Sequence, residues 1–336
     1  MAYINFDPKD YFNTKLYTGN GSTQSITGVG FQPDLVWNKR RTGANEHALT
    51  DVVRGTTKTL FSSLTNAETT QSGGLTSFDS DGYSVGSSGE FNDNLESYVG
   101  WNWLAGGSGV SNTDGSTTST VSANQTSGFS VVKWVGVDTT VGHGLNAVPE
   151  MIIVKNTDDA TNWFVYHKTL GNNKYVNLNL TSAETTSSNQ WNSTSPTSSV
   201  FTVGSDFNNA NYIAYVFAPK KGFSKFGSYI GNGSTDGTFV YTGFKPAFVI
   251  HKRTDSAGYS WLIHDNKRPD YNSADIILEA DLNSAEKSNY HMDLLSNGFK
   301  HRITAGSTNA SGGTYIYMAF AENPLVNSLG NPATAR

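Results

Sequence analysis

The side chains able to do chemistry are sparse in this 336-residue chain and follow no catalytic spacing. Seven histidines are present, His47, His143, His167, His251, His264, His291 and His301. None belongs to an H-E-x-x-H or to a close pair that suits a metal ion. His167 and His264 fall in runs of strand character, where a packed or surface imidazole is the expected role. Asp79-Ser80-Asp81-Gly82 looks like the opening of a calcium loop but lacks the later carboxylate that completes one, so it reads as a turn. No G-x-S-x-G elbow and no phosphate-binding glycine loop occurs. The two carboxylates of a glycosidase can come from any strands, so no such pair can be picked out of the sequence. With no cysteine, disulfides, thiolate metal sites and cysteine nucleophiles are excluded. We therefore assign no catalytic residue, no cofactor and no metal ligand, and read the chain as non-enzymatic.

Two further groups bear on function. Glu68, Glu184 and Glu286 each follow an alanine in a similar setting. A carboxylate repeated in this way fits a cap or a loop hydrogen bond, since one active site needs one copy. Trp191 lies in a polar stretch and is the expected exposed aromatic, able to stack on a sugar ring while its N–H finds a partner; local packing is the alternative.

These residues sit in a pattern that occurs three times. Phe31-Gln-Pro-Asp-Leu-Val-Trp-Asn-Lys39 is echoed by Ala147-Val-Pro-Glu-Met-Ile-Ile-Val-Lys155 and Phe244-Lys-Pro-Ala-Phe-Val-Ile-His-Lys252. Each reads as a strand opening at a proline, where the missing N–H does least harm. Leu64-Thr-Asn-Ala-Glu68 recurs as Leu180-Thr-Ser-Ala-Glu184 and Leu282-Asn-Ser-Ala-Glu286. Tyr98-Val-Gly-Trp-Asn-Trp103 recurs as Tyr212-Ile-Ala-Tyr-Val-Phe217 and Tyr315-Ile-Tyr-Met-Ala-Phe320. Thirty-four residues separate Pro33 from Ala67 and Pro149 from Ala183, whereas thirty-nine separate Pro246 from Ala285. Constant order at near-constant offsets marks a threefold internal repeat of roughly a hundred residues. Period-two alternation, as in Val99, Trp101 and Trp103, marks strands with one buried face, and helical periodicity is missing over any useful window. The expected fold is all-β, with three tandem antiparallel β-sandwich repeats of jelly-roll character and very little helix.

The expected division is an N-terminal arm, 1–14; repeat one, 15–107; a Gly/Ser/Thr-rich linker, 108–127; repeat two, 128–226; repeat three, 227–325; and a flexible tail, 326–336. Tyr3, Ile4, Phe6, Tyr11 and Phe12 of the arm either cover the end of the first sandwich or dock on a partner subunit. The polar tract after repeat one cannot bury enough apolar surface to offset its ordering entropy, hence the linker.

Composition narrows the class. Charged residues are only 15%, against about 25% in a typical domain. Ser, Thr, Asn and Gly take their place, and their hydrogen bonds are not screened by salt. A net charge of −5 lacks the basic footprint of a nucleic-acid binder. No apolar run approaches a membrane span, and the first residues lack the basic and apolar regions of a signal peptide, so synthesis in a cytoplasm is expected.

Phe31-Gln-Pro-Asp-Leu-Val-Trp, Arg54-Gly, Ala67-Glu, Thr76-Ser-Phe-Asp-Ser-Asp-Gly82 and Trp101-Asn-Trp103 together resemble a repeat domain of structural, tail-fibre-like proteins from marine tailed bacteriophages. Tyr241-Thr-Gly-Phe-Lys-Pro-Ala-Phe, Leu295-Ser-Asn-Gly-Phe299 and Tyr315-Ile-Tyr-Met-Ala-Phe-Ala-Glu322 resemble another copy. The middle repeat departs most, with Val148 before its proline. The resemblance implies a virion component, a tail fibre or tail-associated appendage, synthesised in the host cytoplasm and contributing to host attachment. It implies partners among other virion proteins and copies of itself, with a host-surface glycan or receptor as ligand. A capsid decoration or head-fibre protein is one alternative; a carbohydrate-binding module or glycan hydrolase is another.

Overall fold

The computed structural model describes residues 6–269 and 271–324, so Tyr3 and Ile4 of the arm and the tail 326–336 lie outside the described residues. Repeat one contains β1 (Phe12–Thr18), β2 (Gln24–Thr27), β3 (Leu35–Arg40), β4 (Ala48–Asp51), β5 (Lys58–Phe61), β6 (Thr69–Thr70), β7 (Leu75–Asp79), β8 (Gly82–Val85) and β9 (Ser97–Trp103). Next come β10 (Val110–Asn112) and β11 (Ser119–Asn124). Repeat two contains β12 (Phe129–Val135), β13 (Thr139–Gly142), β14 (Met151–Asn156), β15 (Phe164–His167), β16 (Lys174–Asn177), β17 (Thr185–Thr186), β18 (Val200–Val203) and β19 (Asn211–Phe217). Repeat three contains β20 (Ser224–Ile230), β21 (Phe239–Tyr241), β22 (Phe244–Arg253), β23 (Leu262–Asp265), β24 (Leu278–Glu279), β25 (Met292–Leu295), β26 (Gly298–His301) and β27 (Thr314–Pro324). Helix among the described residues is limited to the turns Pro8–Asp10 and Gly89–Asn92.

Each repeat has an inner and an outer antiparallel sheet. The inner sheets run β1-β9-β3-β4-β5-β6, β10-β11-β12-β19-β14-β15-β16-β17 and β20-β27-β22-β23-β24. The outer sheets are β2-β8-β7, β13-β18 and β21-β26-β25. Pro33 and Pro149 stand two residues ahead of β3 and β14, while Pro246 lies inside β22 at a bulge. The three landmarks therefore occupy corresponding places.

Period-two alternation distributes the inner strands between two cores. Leu35 and Trp37 of β3, Met151 and Ile153 of β14, and Phe248 and Ile250 of β22 meet in one cluster shared by all three repeats. The residues between them face outward into separate cores: Val36 in the first, Ile152 and Val154 in the second, Val249 in the third. An inner sheet that is apolar on both faces needs cover on both. Its own outer sheet covers one face and the other two repeats cover the other. The repeats thus close round a common axis, where the sequence had suggested a row of independent sandwiches. β9 likewise has two buried faces, where alternation had suggested one. Its Asn102 amide donates to the carbonyls of Asn13 and Gly100, at 3.0 and 2.9 Å. At Gly100 a Cβ would sit 2.3 Å from the Tyr83 hydroxyl, so only glycine fits there.

Two further expectations are corrected. Residues 108–127 contain β10 and β11, paired to each other and to β12. Their polar side chains serve the backbone, as when Ser119 donates to the Gly142 carbonyl, while Val121 is buried. Trp191 is 1% exposed. Its ring packs against Tyr166 and Phe207, and its Nε1–H reaches the Lys174 carbonyl at 3.1 Å. A polar sequence neighbourhood said nothing of the pocket that repeat two folds around it.

In the arm, Phe6 and Tyr11 pack edge-on against Phe223, just ahead of β20, and Phe12 stacks on Phe320 with ring centroids 5.1 Å apart. These three aromatics close one end of the common core.

Candidate functional site

The chemistry-bearing residues that recur in the sequence meet at the joints between repeats. The Glu68 N–H donates to the Thr157 carbonyl at 2.9 Å, that of Glu184 to Thr254 at 2.8 Å, and that of Glu286 to Arg41 at 2.9 Å. Repeat one thus grips two, two grips three, and three grips one. The indole N–H of Trp163 reaches back to the Phe61 carbonyl and that of Trp261 to the Asn177 carbonyl, both at 2.8 Å. His47 takes the same position in repeat one, with the Glu279 carbonyl beside its ring. Its Nδ1 accepts the Trp37 N–H at 3.0 Å.

Three buried lysines end the proline strands. Lys39 Nζ donates to the carbonyls of Arg40 and, across the joint, Asn283 at 3.2 Å. Lys252 Nζ donates to Tyr259 and, across the next joint, to Thr181 at 3.3 Å. Lys155 Nζ donates to Asn156 and Asp159 within its repeat. Burial lowers all three ammonium groups to about 8.

Two joints also hold a buried ion pair that sequence reading missed. Asp51 pairs with Arg54 at 2.5 Å, and the Tyr215 hydroxyl from repeat two donates to Asp51 Oδ2 at 3.0 Å. Asp265 pairs with Arg268 at 2.6 Å, and the Trp101 Nε1–H from repeat one donates to Asp265 Oδ2 at 3.0 Å. Burial opposes the Asp265 charge, but the neighbouring guanidinium outweighs it and holds the carboxyl low. The signal was the D-x-x-R spacing common to repeats one and three. In repeat two the same positions are His167 and Leu170, and the residue opposite is Met318. His167 instead hydrogen-bonds the Tyr317 carbonyl, and burial lowers its imidazole to about 4.

Repeat three contains a further buried cluster, His251, His264 and His301. The rings of His251 and His264 stack at 5.6 Å, and His301 lies edge-on to His251 at 5.0 Å. The Tyr229 hydroxyl joins them, 2.9 Å from His301 Nε2, and donates to the Thr308 carbonyl. Burial keeps all three imidazoles well below their ordinary value. Among the described residues, no group of three or more His, Asp or Glu has the arrangement to hold a metal ion. Asp81 of the Asp79–Gly82 turn accepts the N–H groups of Gly28 and Gly30, at 2.9 and 2.7 Å, which accounts for it as a turn residue.

A concave site with mixed polar and apolar lining lies elsewhere in repeat three. A pocket of about 310 Å³ is lined by Lys245, Asn266, Tyr271, Asn272, Leu294 and Glu322, among others. Of the five residues by which this repeat exceeds the others, four fall between β23 and β24, where Pro269, Tyr271 and Asn272 supply part of the wall. Lys245 and Glu322 form a largely buried ion pair at 2.8 Å. Burial opposes the Glu322 charge, yet the ammonium holds the carboxyl below its usual range. Asn266 Oδ1 is buried without a partner among the described residues. Tyr271 is 85% exposed at the rim. An exposed ring, an unpaired amide oxygen and a fixed charge pair suit a neutral polyhydroxylated ligand. The longer spacing after Pro246 was the sequence feature that marked this place.

No curated protein matches the chain. A family model described as a domain of unknown function, DUF7483, matches residues 7–324, and the chain belongs to that family.

Proposed function

We propose that this chain is a non-enzymatic virion structural protein of a tailed bacteriophage, a tail fibre or tail-associated appendage that contributes to host-surface attachment. The observation that carries this reading is the use made of the recurring ionisable residues. The Glu backbones, the Lys39 and Lys252 ammonium groups and the Asp–Arg pairs hold repeat to repeat, which is architecture. The low charge of the surface and the resemblance of the repeats to phage structural proteins support the same reading. The pocket beside Tyr271 fits a host-surface glycan better than Trp191, which is buried.

Mass spectrometry and labelled imaging of purified particles test the placement. Detection in tail appendages at low copy supports the proposal. Hundreds of copies on the shell would favour a decoration or head-fibre protein, and absence from particles would overturn a virion role. A glycan array tests the ligand: Tyr271→Ala is expected to lose at least about tenfold in affinity for any glycan bound, from lost ring stacking. An array blank for the native chain would remove the glycan.

A further inference from the structure

The corresponding inner-sheet strands β1, β12 and β20 precede the outer-sheet edge strands β2, β13 and β21 in the three repeats. In repeat two the chain fills the space between them. β11 pairs with β12 from Thr120↔Lys133 to Asn124↔Phe129. Just ahead of it, Thr117 forms a parallel bridge to Val141 of β13. Val121 faces into the outer core of that repeat. One uncharged segment, Ser116–Gln125, therefore ties both sheet edges together.

Repeat three has the same two edges and, among the described residues, no such segment, because the connection from β19 to β20 is short. β20 and β21 flank an open groove of about 610 Å³. Ile230, Phe239 and Tyr241 stand on it with 62%, 42% and 52% of their surface exposed. Lys225 crosses it, donating to the Tyr241 carbonyl at 2.6 Å and lying 5.2 Å from the Tyr241 ring centroid. The register of β20 on β27 puts Lys225 where β12 has Ser130, and Ser130 is opposite Ala123 of β11. The groove beside β1 differs: Lys15 and Lys267 line it, and it carries no comparable exposed apolar group.

The geometry points to the β20–β21 groove as the acceptor of an extended strand from a partner protein. That strand is uncharged, rich in Ser and Thr, and carries one aliphatic side chain that turns into the outer core of repeat three as Val121 does in repeat two. An unpaired strand edge supplies the backbone donors and acceptors, and the adjoining apolar rim supplies the side-chain site. Lys225 keeps the groove covered until the strand displaces it, and the inference is independent of where the protein works.

The probe is a capped, labelled peptide of sequence Ser116–Gln125, titrated onto the full chain and followed by hydrogen exchange. Saturable binding that protects amides of β20 and β21 is expected. Lys225→Ser, which reproduces the repeat-two residue, should tighten binding by about tenfold, the worth of one charge-assisted hydrogen bond no longer displaced. A peptide with Asp at the position of Val121 should bind at least about tenfold more weakly, since a carboxylate would enter an apolar core. Absence of binding to both the native chain and Lys225→Ser would overturn the inference. Protection confined to other strands would overturn it too. So would concentration-dependent self-association that alone protects β20, which would make a second copy the occupant.

Discussion

The joint that repeat three makes with repeat one and the joint that it makes with repeat two solve one steric problem with opposite chemistry. In the first, Trp101 offers an N–H, and Asp265 with Arg268 stands ready to use it. In the second, Met318 offers nothing, and His167 with Leu170 takes the place of the ion pair. The Tyr215 joint follows the first pattern. A buried carboxylate persists where the neighbouring repeat brings a donor to it. Where the donor is missing, the pair is replaced by a neutral ring and an aliphatic chain. This is the expected outcome if desolvating two charges is offset only when the remaining lone pairs are satisfied.

The comparison breaks most sharply at Asp265. Replacing it with alanine removes the nearer carboxylate of the buried Arg268 guanidinium, leaving Glu286 at 3.4 Å, and should cost about 3 kcal/mol in denaturant unfolding. His167→Leu should do far less at neutral pH, because it leaves no orphaned charge. Acid gives the next largest effect, acting on the histidines. Their folded values lie below the unfolded one of 6.5, at about 4 for His167 and about 3 for His301. The unfolded chain binds protons first, so the histidine contribution is full above pH 6.5 and declines as pH falls toward 4. Unfolding midpoints at pH 7.5 and 5 should show that decline, and His167→Leu should flatten part of it. Tyr215→Phe removes one hydroxyl from Asp51 and should cost about 1.5–3 kcal/mol, within reach of a double-mutant cycle with Asp51→Asn. Smallest is Lys58→Ala. Its partly exposed partner Glu68 lies 3.6 Å away, and the loss should stay below about 1 kcal/mol.

Much of this was legible in the sequence because strand faces and turns are local properties. The proline strands, the Tyr98, Tyr212 and Tyr315 strands and the all-β class follow from apolar runs and Gly/Asn turns. The antiparallel sheets accord with that class. Closure of the repeats on one another was not legible, since alternation tells which residues share a face but not what covers it. Val36 and Trp37 are both apolar neighbours, and only the fold assigns one to the outer core and the other to the shared one. β11 escaped because Val121 is its one large inward apolar side chain, while Ser119 beside it turns its hydroxyl to the backbone. Trp191 was misread because burial of an aromatic is set by residues distant in sequence, here Tyr166 and Phe207. The pocket in repeat three was marked by an insertion, which gives an address without a chemistry.

The shared cluster that Trp37, Ile153 and Phe248 help to form has a mechanical consequence. Peeling away any one third of the molecule would wet the apolar faces of the two that remain. Pulling on the protein or heating it should therefore meet one steep, all-or-none rupture, with no ladder of three smaller ones.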